Sequence, residues 1–314
     1  MFKSRAYRYD NEQIVLILTL MLVLVVIVLT STVTFCLSGA FIVAMFVLSA
    51  LMIRSHHQSL MNSAYRVDQN QTPELAGLVA ECGMKLQPGE VDVFLVNQKQ
   101  INAYTFGVGS PKVLVLYSPL LKVMSPGELK FIIGHEMGHV VLGHTWLNTI
   151  VGGMAGIPAP FGAAVLLYTA FRWWGRMCEF SADRAGLLAC GDLRLAISTL
   201  VKLVAPEVRN QRDFENALAL IDAEDDSASN RFAEIFQSHP MIIRRINTLK
   251  TYTRTAEYQR LQAGVNSNIE GGSVRARDQR DRLEVQLDPA PIQEVEPELS
   301  PEERWPWLKR KEPS

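Results

Sequence analysis

From Ile14 to Ile53 the chain runs forty residues without an Asp, Glu, Lys or Arg. No other feature restricts the fold as much, because so long an apolar run has few ways of hiding from water. As helix it would extend about 60 Å, enough for two passes through a hydrocarbon layer about 30 Å thick. A transmembrane hairpin over 14–53 is expected, turning between Ser31 and Gly39, where Ser, Thr and Gly interrupt the Leu, Val and Ile residues. A cleaved signal peptide fits less well, since its apolar region would be only about 7–15 residues long. Lys3, Arg5 and Arg8 precede the first span, Arg54 and Arg66 follow the second, and the connection is uncharged. The positive-inside rule therefore puts the N-terminus (1–13) and everything beyond the hairpin on the cytoplasmic face of the cell membrane, the inner one where a cell has two.

The rest of the composition narrows the class. Cys36, Cys82, Cys178 and Cys190 form no C-x-x-C pair, which suits free thiols in a reducing compartment. Net charge is −1 with no block of Lys or Arg, so nucleic acid is not an expected partner, whereas a lipid bilayer is. Self-association is left open.

After a linker over 55–71, Thr72, Pro73 and Glu74 read as N-cap, N1 and first turn of a helix. "VDVFLVN" (91–97), the stretch near 102–106 and "KVLVLYS" (112–118) read as strands of a small sheet. Ser125-Pro126-Gly127-Glu128 is a capping box with Pro at N1, so the segment after it should be helical. The expected fold class is α+β, mainly helical: a transmembrane hairpin, then one domain over 54–264 with a small β-sheet. Within it, 148–171 is charge-free but broken by Gly and Pro, and it reads either as a hairpin dipping into the membrane or as a buried core hairpin. From 265 to 314 the chain is charged, Pro-rich and without apolar periodicity, the mark of a disordered tail.

The chemistry lies in "FIIGHEMGHVVLGH" (131–144). On a helix, His135 and His139 project from one face one turn apart and can share a Zn²⁺, while Glu136 is placed to act as general base toward the attacking water. Gly134 and Gly138 would leave room beside the metal. A catalytic zinc takes three protein ligands as a rule, so one more must come from elsewhere. In "CEFSADRAGLL", Glu179 and Asp183 are four apart. Glu179 is the candidate third ligand; Asp183 would accept a hydrogen bond from a ligand histidine and fix its tautomer, or else pair with Arg184 or Arg176. His144, nine residues from His135, would point to the opposite side of a continued helix and is expected to be structural or solvent-facing. His56 and His57 are placed at the membrane interface.

These segments, in this order, resemble the HtpX-like membrane-anchored zinc metallopeptidases, relatives of the CaaX prenyl endopeptidases. The resemblance rests on "NAYTFG" (102–107), "GHEMGHVVLGH" (134–144), "EFSADRAG" (179–186) and "HPMIIRRI" (239–246), with the hairpin ahead of them. It implies a zincin-like metallopeptidase domain over 54–264, with one Zn²⁺ per chain on His135, His139 and Glu179 and Glu136 as catalytic base. It further implies that Asn102, Ala103, Tyr104, Thr105, Phe106 and Gly107 form an edge strand that takes up an extended polypeptide by strand addition. His239 and Arg245 correspond to a His-Pro element that can approach the scissile carbonyl; for His239 a capping or packing role is equally open. The expected activity is hydrolysis of peptide bonds in membrane-associated or unfolded polypeptides, in membrane protein processing or quality control. The rival readings are a non-catalytic zinc-stabilised membrane scaffold that binds polypeptides and a metal-free membrane protein.

Overall fold

The computed structural model describes residues 7–33, isolated positions between 44 and 59, and 64–147, 149, 162–206, 208, 212–215 and 240–264. Most of the second hairpin arm, residues 150–161, Cys36, His57, His239 and the tail 265–314 lie outside the described residues. The elements are α1 (Glu12–Val33), β1 (Tyr65–Arg66), α2 (Pro73–Leu86), β2 (Val91–Val96), β3 (Ala103–Phe106), β4 (Lys112–Tyr117), α3 (Pro119–Val123), α4 (Pro126–Val141), α5 (Gly162–Cys190), α6 (Leu193–Val204) and α7 (Pro240–Thr253). The protein is thus mainly helical with one small mixed sheet, an α+β arrangement.

The sheet order is β1-β2-β4-β3. β2 and β4 pair in parallel, while β1 and β3 lie antiparallel at the two edges. Strands β2 and β4 are apolar at nearly every position, as befits strands covered on both faces. Val93, Leu95, Leu114 and Leu116 point into the main helical core. Phe94, Val96, Val113 and Val115 join Phe106 in a smaller cluster on the other face. His56 packs beside that cluster, its Nε2 2.8 Å from the Tyr104 hydroxyl. The two-residue β1, too short to show an alternating pattern, falls in the stretch expected to be linker.

α1 buries one side and leaves the other bare. Val15 packs with Leu147, Trp174 and Cys178, and Thr19 Oγ1 donates to the carbonyl oxygen of Val15 at 2.8 Å. Nine large apolar side chains between Ile14 and Leu29 are each 46–62% exposed. Among the described residues no helix is long and apolar enough to cross a membrane. The described end of the Gly/Pro-broken stretch is regular: from Gly162 it is helix and continues as α5 without a break.

Helix α4 begins where the capping box requires. Ser125 Oγ accepts from the Glu128 amide at 3.3 Å, and Glu128 Oε2 accepts from the Ser125 amide at 2.7 Å. The buried Glu128 carboxylate also takes Lys202 Nζ of α6 at 2.8 Å, so the cap ties two helices together. α2 starts at Pro73 as expected, but the Thr72 hydroxyl does not cap it; it donates instead to the Asp68 carbonyl at 3.2 Å.

The contact that matters most for the site is α4 against α5. Gly134 and Gly138 face α5, not the metal side as the sequence suggested. A Cβ on Gly134 would lie 2.3 Å from the Ala189 Cβ, and one on Gly138 would lie 2.6 Å from the Ala185 Cβ. Alanine methyls cannot rotate away, so the helix axes can be this close only without those carbons. Replacing Gly134 with Ala should push the helices apart and cost about 1–3 kcal/mol by overpacking, read as a lower thermal midpoint; an unchanged midpoint would mean the seam is loose.

Candidate active site

The close approach of α4 and α5 decides which side chains meet. His135 and His139 sit one turn apart on α4, and Glu179 and Asp183 one turn apart on α5. His135 Nε2 and His139 Nε2 are 3.2 Å apart, and Glu179 Oε2 and Oε1 stand 3.5 Å from the first and the second. Tetrahedral ligands about 2.0–2.1 Å from a zinc ion would be separated by about 3.3 Å, so the three groups stand where one such ion would need them. Two imidazole nitrogens this close, both aimed at one carboxylate, are better satisfied as lone pairs converging on a cation than as hydrogen-bond partners of each other.

The remaining ring nitrogens settle the tautomers. His135 Nδ1–H donates to Asp183 Oδ1 at 3.0 Å. Asp183 also takes a two-pronged contact from α7, with Arg245 Nε on Oδ2 at 2.7 Å and Nη2 on Oδ1 at 2.6 Å. Arg245 Nη1 lies 3.2 Å from Glu179 Oε2 as well. Asp183 thus does both things the sequence left open, yet its cation is Arg245. Arg184 turns elsewhere, donating to the Arg8 carbonyl at 2.9 Å and stacking over Tyr252. Burial works against the Asp183 carboxylate, but the Arg245 guanidinium and His135 outweigh it and hold its pKa below the usual carboxylate range. For Glu179, too, burial is overcome by Arg245 and the two imidazoles, so it stays ionised.

His144 is not where a continued helix would carry it. α4 ends at Val141, and Gly143, at φ +80°, turns the chain back in the left-handed conformation typical after a helix C-cap. His144 is therefore buried beneath His139, their Nδ1 atoms 3.0 Å apart, rather than solvent-facing. Its Nε2 lies 3.0 Å from Glu12 Oε1, at the very start of α1. Glu12 is fully buried and is also bonded by Arg8 and by the Ser181 hydroxyl. Burial pushes the His144 imidazole down, to about 4, so it is neutral at pH 7. The segment carrying Glu12, read from sequence only as a cytoplasmic terminus, is packed into the domain: Arg8 Nη2 donates to the Leu142 carbonyl at 2.8 Å, and the Tyr9 amide to Ser181 Oγ at 2.7 Å.

A cavity of about 420 Å³ opens over these groups, lined on one side by His135, Glu136, His139, Glu179 and Arg245 and on the other by Asn102–Thr105. The strand lining it, β3, is the outermost of the sheet, paired with β4. Strand geometry covers Ala103–Phe106. The Asn102 carbonyl accepts from the Tyr117 amide at 3.0 Å, and Gly107 turns away at φ +125°.

A profile of peptidase family M48 matches residues 67–253, more than half of the chain and all of the elements that build this cavity. The chain belongs to peptidase family M48. The curated relatives are distant. The plastoglobule-localized metallopeptidase 48 of the Arabidopsis thaliana chloroplast is 28% identical over 64% of this chain and 62% of its own length. Protease HtpX of Psychrobacter sp. (strain PRwf-1) is 27% identical over 52% and 64%, and a protease HtpX homolog of Methylibium petroleiphilum is 26% identical over 46% and 60%. The match thus spans about three fifths of each of these M48-type relatives. No solved structure matches the chain significantly.

Proposed function

We propose that this M48 chain is a membrane-anchored zinc endopeptidase that cuts extended segments of membrane-associated or unfolded polypeptides on the cytoplasmic face. The observation that carries the reading is the mutual spacing of His135 Nε2, His139 Nε2 and the Glu179 carboxylate, 3.2–3.5 Å, at the floor of a cavity walled by an edge strand. One zinc ion held there would supply Lewis acidity, lowering the pKa of water toward about 7 and polarising a peptide carbonyl.

The chain's own residues do the rest. A substrate segment pairs with β3, whose backbone fixes the peptide's direction and lays one bond across His135 and Glu136. Glu136, beside that bond, takes the proton of the attacking water and returns it to the leaving amine nitrogen. Asp183 and Arg245 keep His135 and Glu179 in their orientations, so no reorganisation is needed during the reaction. Anchoring is supported by the bare apolar side of α1 and by Trp146 and Trp173, both more than 40% exposed and each next in sequence to a residue, Leu147 or Trp174, that packs on Val15 in the first turn of α1. Amphipathic rings at that level suit a membrane–water boundary.

The test is metal content together with turnover. The purified full-length chain should carry about one zinc and cleave an unfolded casein-type substrate, with cleavage lost to chelator and restored by Zn²⁺. Replacing Glu179 with Ala should lower zinc occupancy severely. Stoichiometric zinc in that variant would separate the two helices' motifs and end the proposal, and zinc without any turnover would favour the scaffold reading.

A further inference from the structure

His139 has one nitrogen for the metal and one left over, and the left-over nitrogen leads somewhere unexpected. Its Nδ1 faces the His144 Nδ1 at 3.0 Å. With the lone pair of His139 Nε2 directed at the metal position, Nδ1 must carry that ring's proton, and His144 Nδ1 must accept it. His144 then carries its own proton on Nε2, 3.0 Å from Glu12 Oε1, and the carboxylate accepts it. Each donor and acceptor along the path is fixed by the one before, and all three side chains are buried: His139 6%, His144 1% and Glu12 0% exposed.

We infer that His144 and Glu12 are positioning residues for the metal ligand His139, forming a two-step counterpart of the direct Asp183 contact to His135. The inference rests on the zinc-peptidase reading above. Its consequence is that a residue ahead of the apolar run, on the first turn of α1, completes a site otherwise built from residues 135–245. Both ligand imidazoles end on a carboxylate, one directly and one through a second imidazole. Each carboxylate is itself held by an arginine, Asp183 by Arg245 and Glu12 by Arg8. A carboxylate at the end of such a path fixes the ring's rotation and raises the electron-donating power of the ligating nitrogen.

Glu12 and His144 lie close enough to Cys178 for these three to be considered a metal site of their own. The Glu12 oxygens are, however, already occupied by His144, Ser181 and Arg8. An arginine on the carboxylate opposes a second cation, so the positioning role accounts for the group better.

The experiment is a zinc titration of the full-length, metal-stripped chain against a competing chelating dye, with unfolding of the metal-free form measured in parallel. Replacing His144 with Leu fills the space but breaks the path, and the zinc Kd should rise about ten- to a hundredfold. His144→Gln keeps an acceptor toward His139 and a donor toward Glu12, and should recover most of that loss. Glu12→Gln keeps the shape and removes the charge, and should weaken zinc several-fold. A purely structural role would lower the metal-free unfolding midpoint while leaving the zinc Kd unchanged, and that result in the Leu and Glu12→Gln variants overturns the inference. If the Leu variant does not fold, Glu12→Gln alone decides. If the parent chain binds no zinc, the functional reading fails first, which is a distinguishable outcome.

Discussion

Replacing Glu136 with Gln should abolish peptide hydrolysis while leaving zinc bound at full occupancy. Glu136 lines the cavity beside His135 but is not among the three groups gathered within 3.5 Å, so the amide leaves the ligand set intact. What it removes is a base able to take a proton and give it back. General acid–base groups contribute about 10²–10⁴-fold to rate, and here one residue serves at both steps, so turnover should fall to the upper end of that range or beyond. Cleavage of an unfolded substrate and elemental analysis of the same preparation are the two measurements needed. A Glu136→Gln variant that cuts at the parent's rate would show the proton going elsewhere.

The largest effect on folding should come from Arg245. Its guanidinium is the only cation within ion-pair distance of the Asp183 side chain, itself 1% exposed, among the described residues, and it reaches Glu179 as well. Substitution by Ala strands a buried carboxylate with nothing but the His135 ring, and breaking one side of a buried pair costs about 3–5 kcal/mol. In a domain of this size that is about 10 °C of thermal midpoint. Unfolding should be followed with chelator present, so that metal loss does not contribute. Arg245→Lys keeps the charge but not the planar fork, and should fall between the parent and the Ala variant. An Ala variant melting within a degree or two of the parent would mean that Asp183 is solvated well enough to need no partner.

What could be read from the sequence was whatever depends on local spacing. The Ser125–Glu128 cap, the helical phase that puts His135 and His139 on one face, and the matching phase of Glu179 and Asp183 are all set within five residues. So are the apolar runs of β2 and β4. What could not be read depends on the chain reversing or on distant elements meeting. His144 looked remote because nine helical residues span two and a half turns; the glycine before it ends the helix, and that Gly-His pair was the one available signal. Glu12 gave no sign beyond being a carboxylate next to an apolar helix, a position common on any surface. Gly134 and Gly138 were read as clearance for a metal because one helix alone gives no indication of which side its neighbour takes. Arg245, grouped with His239 as a candidate transition-state or substrate contact, lines the cavity and is in addition the cation of the two α5 carboxylates; no local pattern links residues about sixty positions apart.

The small-residue seam between α4 and α5 has a mechanical consequence. The two imidazoles ride on one rigid rod and the carboxylate on another, so the trap works like the jaws of pliers, governed by a single separation. Separating the rods by an ångström would stretch the distance from the imidazole pair to the carboxylate while leaving the two imidazoles at their own spacing. An ion held there should therefore lose the carboxylate first as the rods breathe apart, and leave the paired imidazoles only afterwards.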